Sequence, residues 1–180
     1  LGRPRAWLLA HDLDPLDPEI AGSAGADLAR RADGVPLAYL VGEREFHGLA
    51  LRVTPDVLVP RPETAGLVEW ALERAPYAGQ RFGIVVSNPP YVAEADPHLA
   101  GLRHEPAAAL TAGPDGLRAL REIVAGAPAH LLAGGWLLLE HGFDQADAVA
   151  ALLRARGFIE TVTRRDLAAH ARLTGGRWPT

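Results

Sequence analysis

Phe82-Gly83-Ile84-Val85-Val86-Ser87 runs directly into Asn88-Pro89-Pro90-Tyr91. Residues 82–87 form a compact apolar run rich in β-branched side chains, the pattern of a strand buried on both faces. The two prolines end it. Each holds φ at about −65° and removes a backbone donor, and Pro89 keeps Asn88 out of the helical region. In open α/β sheets, ligands bind in the crevice beyond the carboxyl ends of the strands, which is where this tetrapeptide must lie. The expected product is a stiff turn offering two acceptors, the Asn88 side-chain oxygen and the Pro89 carbonyl, with the Tyr91 ring alongside.

The surroundings read as α/β. Upstream, Pro62-Glu63-Thr64 opens a helix whose expected inner face is Leu67, Val68, Ala71 and Leu72. Downstream, a loop extends to about Gly113. A helix with Leu117, Leu120, Ile123 and Val124 inward comes next, then Gly134-Gly135 and a strand over residues 136–140. Asp144 is expected to cap a helix carrying Val149, Leu152 and Leu153 that stops at Gly157. Strands follow over 158–163 and 173–178. Alternating strands and helices predict a parallel, helix-covered sheet.

Before residue 61 the pattern differs. Residues 1–35 read as a small helical domain. Asp17-Pro18-Glu19 is a helix start, Ile20, Ala24 and Leu28 recur at helical spacing, and Gly34 with Pro36 ends the run. Residues 36–60 read as a β-hairpin linker, with two brief strands about Gly48. Residues 61–180 form the third division.

Composition narrows the function. The 180 residues are 48% hydrophobic and 22% charged, the balance of a chain with a packed core. A net charge of −4 gives no overall field toward nucleic acid or an anionic membrane. No apolar run approaches the roughly 18 residues needed to span a bilayer. With no cysteine, disulfides and thiolate metal sites are excluded, and a cytoplasmic protein is expected. The seven histidines lack metal-ligand spacing, so no metal is expected. Every basic residue is arginine, which points to a GC-rich genome. The chain has no methionine and opens on Leu1, so it is expected to begin inside a longer one. Arg164, Arg165, Arg172 and Arg177 read as a solvated basic face, with a phosphate contact as the sharper alternative.

Two acceptors beside an aromatic face suit a planar NH2 group. Its nitrogen is a poor nucleophile because the lone pair is delocalised into the neighbouring π system. Gripping both N–H bonds favours pyramidalisation and turns the lone pair toward an electrophile. A sulfonium methyl held in line at roughly 3–3.5 Å would then be near attack. The Tyr91 ring face favours the positive charge nearby. No strong general base is needed, because the nitrogen acidifies as it gains the methyl group.

Asn88-Pro89-Pro90-Tyr91 is similar to the signature of amino-group methyltransferases. Its surroundings resemble the HemK/PrmC release-factor glutamine methyltransferases. The likeness runs through Pro36-Leu37-Ala38-Tyr39-Leu40, Gly42-Glu43-Arg44-Glu45-Phe46, Val59-Pro60-Arg61-Pro62-Glu63-Thr64, Asp96-Pro97-His98-Leu99, His104-Glu105-Pro106, Leu137-Leu138-Leu139-Glu140-His141-Gly142 and Thr174-Gly175-Gly176-Arg177, in the family's order. The resemblance implies a Rossmann-like class I methyltransferase sheet behind a small N-terminal helical domain. It implies S-adenosylmethionine as cofactor. The implied substrate is the side-chain amide of the glutamine in the Gly-Gly-Gln motif of class I peptide chain release factors, with no membrane and no specific nucleic acid as partner. By the same resemblance Asn88, Pro89, Pro90 and Tyr91 hold the amide. Asn88 also lies near the methyl donor, and Arg61 and Thr64 line the cofactor pocket. Ala65 departs from the glutamate common there. Glu140 is expected to buttress the loop by accepting backbone N–H bonds.

One part is missing. The family places a strand and a glycine-rich loop before the catalytic strand, then an acid for the ribose. Between Ala75 and Gln80 stands only Pro76-Tyr77-Ala78-Gly79. Gly134-Gly135 and Gly175-Gly176 join no strand to a helix N-terminus that would cradle a phosphate or nucleotide. The cofactor-binding half is therefore expected to be absent, with a gap in the chain between residues 75 and 80. Two other readings stand beside the first: an amino-methyltransferase acting on adenine or cytosine in DNA or RNA, and a non-enzymatic binding module. Intact mass tests the last. A protein near 19.1 kDa favours the module, and a clearly heavier one favours the enzyme.

Overall fold

The structure, a computed structural model, describes residues 3–74 and 83–180. The expected gap between 75 and 80 lies outside the described residues.

The N-terminal helices are α1 (Arg5–Ala10), α2 (Pro18–Ala32) and α3 (Leu37–Val41). As the sequence predicts, the Asp17 carboxylate caps α2, accepting from the backbone N–H groups of Glu19 at 2.8 Å and Ile20 at 3.4 Å. The expected inward face of α2 is not packed: the helix buries no residue, and Leu28 is 71% exposed. The run Ala21-Gly22-Ser23-Ala24-Gly25-Ala26 gives it too little side chain to press against a neighbour. Burial begins at α3, where Ala38 and Tyr39 pack with Val53 and Val59, and the Tyr39 hydroxyl donates to the Val57 carbonyl at 2.6 Å. The hairpin is β1 (Glu43–Phe46) against β2 (Leu49–Arg52), with Phe46 facing Leu49. His47 and Gly48 turn it with φ of 50° and 77°, the left-handed pair that a two-residue hairpin turn requires.

The larger part contains α4 (Pro62–Arg74), β3 (Ile84–Ser87), α5 (Arg118–Gly126), β4 (Trp136–Glu140), α6 (Ala146–Arg156), β5 (Ile159–Arg165) and β6 (Ala171–Arg177). The strands are ordered β3-β4-β6-β5, with β3 parallel to β4 and β6 antiparallel to both its neighbours. The sheet is therefore mixed, where the alternation of elements predicts a parallel one. Only the five residues 166–170 join β5 to β6. A parallel return needs a crossover of a dozen or more residues, so this pair has to fold as a hairpin.

All of β4 is buried. Its side chains alternate between two layers, as strand geometry requires. Leu137 and Leu139 face α5 and α6, meeting Leu120, Val124, Val149, Leu153 and Phe158. Trp136 and Leu138 face α4, meeting Leu67 and Trp70. Trp70 takes the inner position expected for Leu72, which is 63% exposed. Position 70 lies one turn from Leu67 on the same helical face, whereas position 72 is swung well round the helix. Asp144 does not cap α6; the N-cap is Gln145, which makes no side-chain cap bond. Among the described residues β3 is the outermost strand, and Val86 is 40% exposed.

Gly175 sits where α4 presses on the sheet. A Cβ there would stand 2.6 Å from Leu138 Cδ2 and 2.9 Å from both the Leu137 carbonyl oxygen and the Trp70 ring. Gly175→Ala overpacks this layer and is expected to cost about 1–3 kcal/mol. Denaturant unfolding measures it, and unchanged stability would contradict the packing described.

Candidate active site

The parallel pairing of β3 with β4 sets Ser87 beside Leu139, so the next residues of both strands emerge at the same end of the sheet. From β3 come Asn88, Pro89, Pro90 and Tyr91; from β4 come Glu140 as its last residue, then His141 and Gly142. A cleft of about 550 Å³ opens there, lined among others by Arg61, Asn88, Pro90, Tyr91, Phe143 and Arg172. The tetrapeptide thus faces a cavity, as its position after the strand predicts.

Asn88 is held from behind. Its Nδ2 donates to Thr64 Oγ1 at 2.8 Å, and the Thr64 hydroxyl donates to Glu140 Oε2 at 2.6 Å. The Asn88 Oδ1 and the Pro89 carbonyl have no hydrogen-bond partner among the described residues. Glu140, 1% exposed, also accepts from the Tyr91 hydroxyl at 3.3 Å. Its partners are two side-chain hydroxyls, not the backbone N–H groups the sequence reading expects. The reason is topological: Thr64 on α4 and Tyr91 beyond β3 both reach the end of β4 with their hydroxyls. His141 N–H donates to the Arg172 carbonyl at 3.0 Å.

Burial shapes the charge states. It raises the Glu140 carboxyl above its ordinary value, and the hydrogen bonds from Thr64 and Tyr91 partly counter this. Burial beside Glu140 also pushes the Tyr91 phenol up to about 12, so Tyr91 stays a hydrogen-bond donor at any working pH. His141, fully buried, is held below its ordinary value chiefly by desolvation. In its neutral form Nδ1–H donates to the Gly142 carbonyl at 2.8 Å. Its Nε2 accepts from the Thr174 hydroxyl at 2.7 Å.

The loop is clamped from the other side by Gln145, which the sequence reading missed. Its Oε1 accepts from Gly142 N–H at 2.9 Å, and its Nε2 donates to the Tyr91 carbonyl at 3.0 Å and the Asp115 carbonyl at 3.3 Å. Gly116, at φ 70°, lets the Asp115 turn come this close, since a Cβ there would strike the Tyr91 carbonyl. The sequence signal for Gln145 was its place just past the β4 end, where ligand loops gather.

The remaining candidates divide. Arg61 lines the cleft and pairs with Glu105, which also accepts from Val59 N–H at 3.4 Å. Thr64 lies behind Asn88 and not on the cleft lining. His98 lines the cleft, whereas His104 turns away to Asp33. No group of metal-binding side chains occurs among the described residues. The C-terminal arginines are mostly paired: Arg164 with Glu73 at 2.6 Å, Arg177 with Glu160 at 2.5 Å and Arg172 with Asp166 at 3.6 Å. Arg164 and Arg177 thus sit in surface ion pairs, whereas Arg172 lines the cleft and departs from the solvated face expected for all four. Among the described residues no helix is long and apolar enough to cross a membrane.

Comparison with known proteins places this geometry. Residues 1–42 match the family of the PrmC N-terminal domain. The release factor glutamine methyltransferase of Bordetella pertussis is 40% identical over 243 aligned positions, covering 98% of this chain and 90% of the relative. That of Burkholderia pseudomallei is 40% identical over 252 positions, covering 99% and 88%. A solved protein-(glutamine-N5) methyltransferase from Alicyclobacillus acidocaldarius is 31% identical, with a TM-score of 0.36 over 63% of this chain and 58% of that one. A chain of 180 residues cannot fill 243 positions, so at least 63 residues of the Bordetella protein lie inside the match with no counterpart here. The chain belongs to the release factor glutamine methyltransferase family.

Proposed function

We propose that the cleft receives the side-chain amide of the glutamine in the Gly-Gly-Gln motif of class I release factors, and that S-adenosylmethionine supplies the methyl group. The observation that carries the reading is the state of Asn88. Its NH2 is tied to Thr64, so the oxygens left without a partner where Asn88 and Pro89 line the cleft are the Asn88 Oδ1 and the Pro89 carbonyl. Two acceptors fixed by a double proline can each take one N–H of a carboxamide. They orient its nitrogen and draw density onto it without removing a proton beforehand. Pro89 is buried and the loop is clamped by Gln145, so the acceptors do not have to be ordered when the amide arrives. Tyr91, kept as a phenol, closes the side of the cleft.

The described residues fit one end of that cofactor and not the other. They form the place beside Asn88 where a methyl would be handed over. Among them the glycine turn between β4 and α6, at Gly142, is filled by Gln145, and no carboxylate ends a strand on the outer side of β3. Gly134-Gly135 lies in the turn before β4, and Gly175-Gly176 lies within β6. On this reading the residues carried by the relatives alone belong at the joint between 75 and 80. The outermost position of β3, with Val86 exposed, supports that placement.

Protein is favoured over nucleic acid as the substrate. The net charge is −4, and among the described residues Arg164 and Arg177 of the C-terminal cluster are hydrogen-bonded to carboxylates, which leaves little of that cluster for phosphate. A cytoplasmic location accords with such a substrate.

A methyl-transfer assay offering a release factor, DNA and RNA in parallel is expected to label the release factor alone; labelling only of nucleic acid would refute this function. Asn88→Ala is expected to reduce turnover by about 10²-fold or more while the far-ultraviolet circular dichroism is unchanged, since one acceptor of a positioned pair is gone. Normal kcat in that variant would remove Asn88 from the site.

A further inference from the structure

The hydrogen bonds behind Asn88 have a direction. A carboxamide has two nearly isosteric ends, and a hydroxyl can donate or accept. Thr64 alone therefore cannot decide which end of Asn88 it meets. Glu140 can. An ionised carboxylate only accepts, so the Thr64 proton is committed to Glu140 Oε2 at 2.6 Å, and only lone pairs of Oγ1 remain for Asn88. Asn88 answers with its NH2 at 2.8 Å, and its oxygen is turned to the cleft. The three groups come from the end of β4, the first turn of α4 and the loop after β3. Glu140 is 1% exposed, so bulk water does not compete with Thr64 as its hydrogen-bond donor.

We propose that Glu140, acting through the Thr64 hydroxyl, sets which end of the Asn88 carboxamide faces the cleft, so that Glu140 and Thr64 are positioning residues for the acceptor amide. The proposal rests on the reading of Asn88 as an acceptor for a substrate NH2. When Glu140 takes a proton from solvent it can donate to Thr64 Oγ1. The Thr64 hydroxyl then turns its own proton toward Asn88, and the carboxamide is best satisfied with its oxygen inward. An NH2 then faces the incoming NH2, donor against donor, and the amide is no longer held.

The groups that bear on Glu140 are Thr64 and Glu63 of α4, Tyr91 of the loop, Arg172 of β6 and the adjacent His141, which desolvation holds below its ordinary value. Burial lifts the carboxyl above its ordinary 4.5 and Glu63 adds to the lift, while Thr64, Tyr91 and Arg172 oppose it. Acceptor binding is accordingly lost as pH falls through a value above 4.5.

The test uses a Gly-Gly-Gln peptide as probe, so it needs no bound cofactor. In the ¹⁵N-labelled protein at pH 8, the Asn88 side-chain NH2 is expected to show a nuclear Overhauser effect to the Thr64 methyl group. It should disappear on acidification, together with peptide affinity. Thr64→Val and Glu140→Gln are expected to weaken peptide binding about tenfold, the scale of one misdirected hydrogen bond, and Thr64→Val should make the affinity insensitive to mild acid. Thr64→Ser, which keeps the hydroxyl, should restore both affinity and pH dependence. Wild-type affinity in Thr64→Val and Glu140→Gln, alongside weak binding by Asn88→Ala, overturns the relay alone. Undiminished binding by Asn88→Ala, or none by the wild type, overturns the reading beneath it. An NH2 signal without the Thr64 contact at pH 8 overturns the relay whatever the peptide does.

Discussion

The parallel register of β3 on β4 is the constraint from which the site follows. Trp136 N–H meets the Gly83 carbonyl at 2.8 Å, and the ladder runs to Ser87 beside Leu139. Parallel strands bring their carboxyl ends to the same side. The double-proline loop and the Glu140–Gly142 corner therefore have to meet. The crossover between the strands includes α5, whose Leu120 and Val124 are buried against Leu137 and Leu139 of β4. The packing that stabilises the sheet is thus the packing that holds the loop in place.

What the two strand ends bring together is a buried carboxylate with neutral partners. Glu105, the other buried acid of this region, is paired with the Arg61 guanidinium. Glu140 is satisfied by the hydroxyls of Thr64 and Tyr91. The difference matters, because an ion pair locks a charge in place, whereas hydroxyl donors leave it open to protonation and leave their own oxygens able to receive a further bond. Around it Tyr91 remains a phenol, while burial holds His141 below its ordinary value and lifts Glu140 above its own.

The described sheet is lopsided in a way that fits the family comparison. Its finished side carries β6 and β5, with Phe158 packed against Gly176 and the Trp178 ring. Its other side stops at β3, four residues long and with Val86 exposed. The machinery that would take the acceptor amide comes from α4 and from the chain after residue 83. It is well enclosed, since Pro89 is buried and Tyr91 is held by both its hydroxyl and its carbonyl.

Features governed by near neighbours were legible in the sequence. The Asp17 cap acts over two and three residues, the hairpin turn at Gly48 between neighbouring residues, and the prolines after Asn88 over one, whereas His47 joins that turn instead of the strand. Each is decided by local sterics or by a hydrogen bond that the chain cannot avoid making. The α/β layering was legible too, because side-chain periodicity records which face of an element avoids water. Only the tertiary structure decided that β6 lies between β4 and β5, that Trp70 displaces Leu72 from the core, and that Gln145 holds Tyr91 across 54 residues. It also decided that Glu140 is joined to Thr64 across 76 residues. A carboxylate, a hydroxyl and a carboxamide have no preferred partner along the chain. Their pairing is fixed by which groups the packed apolar layers seal away from water together.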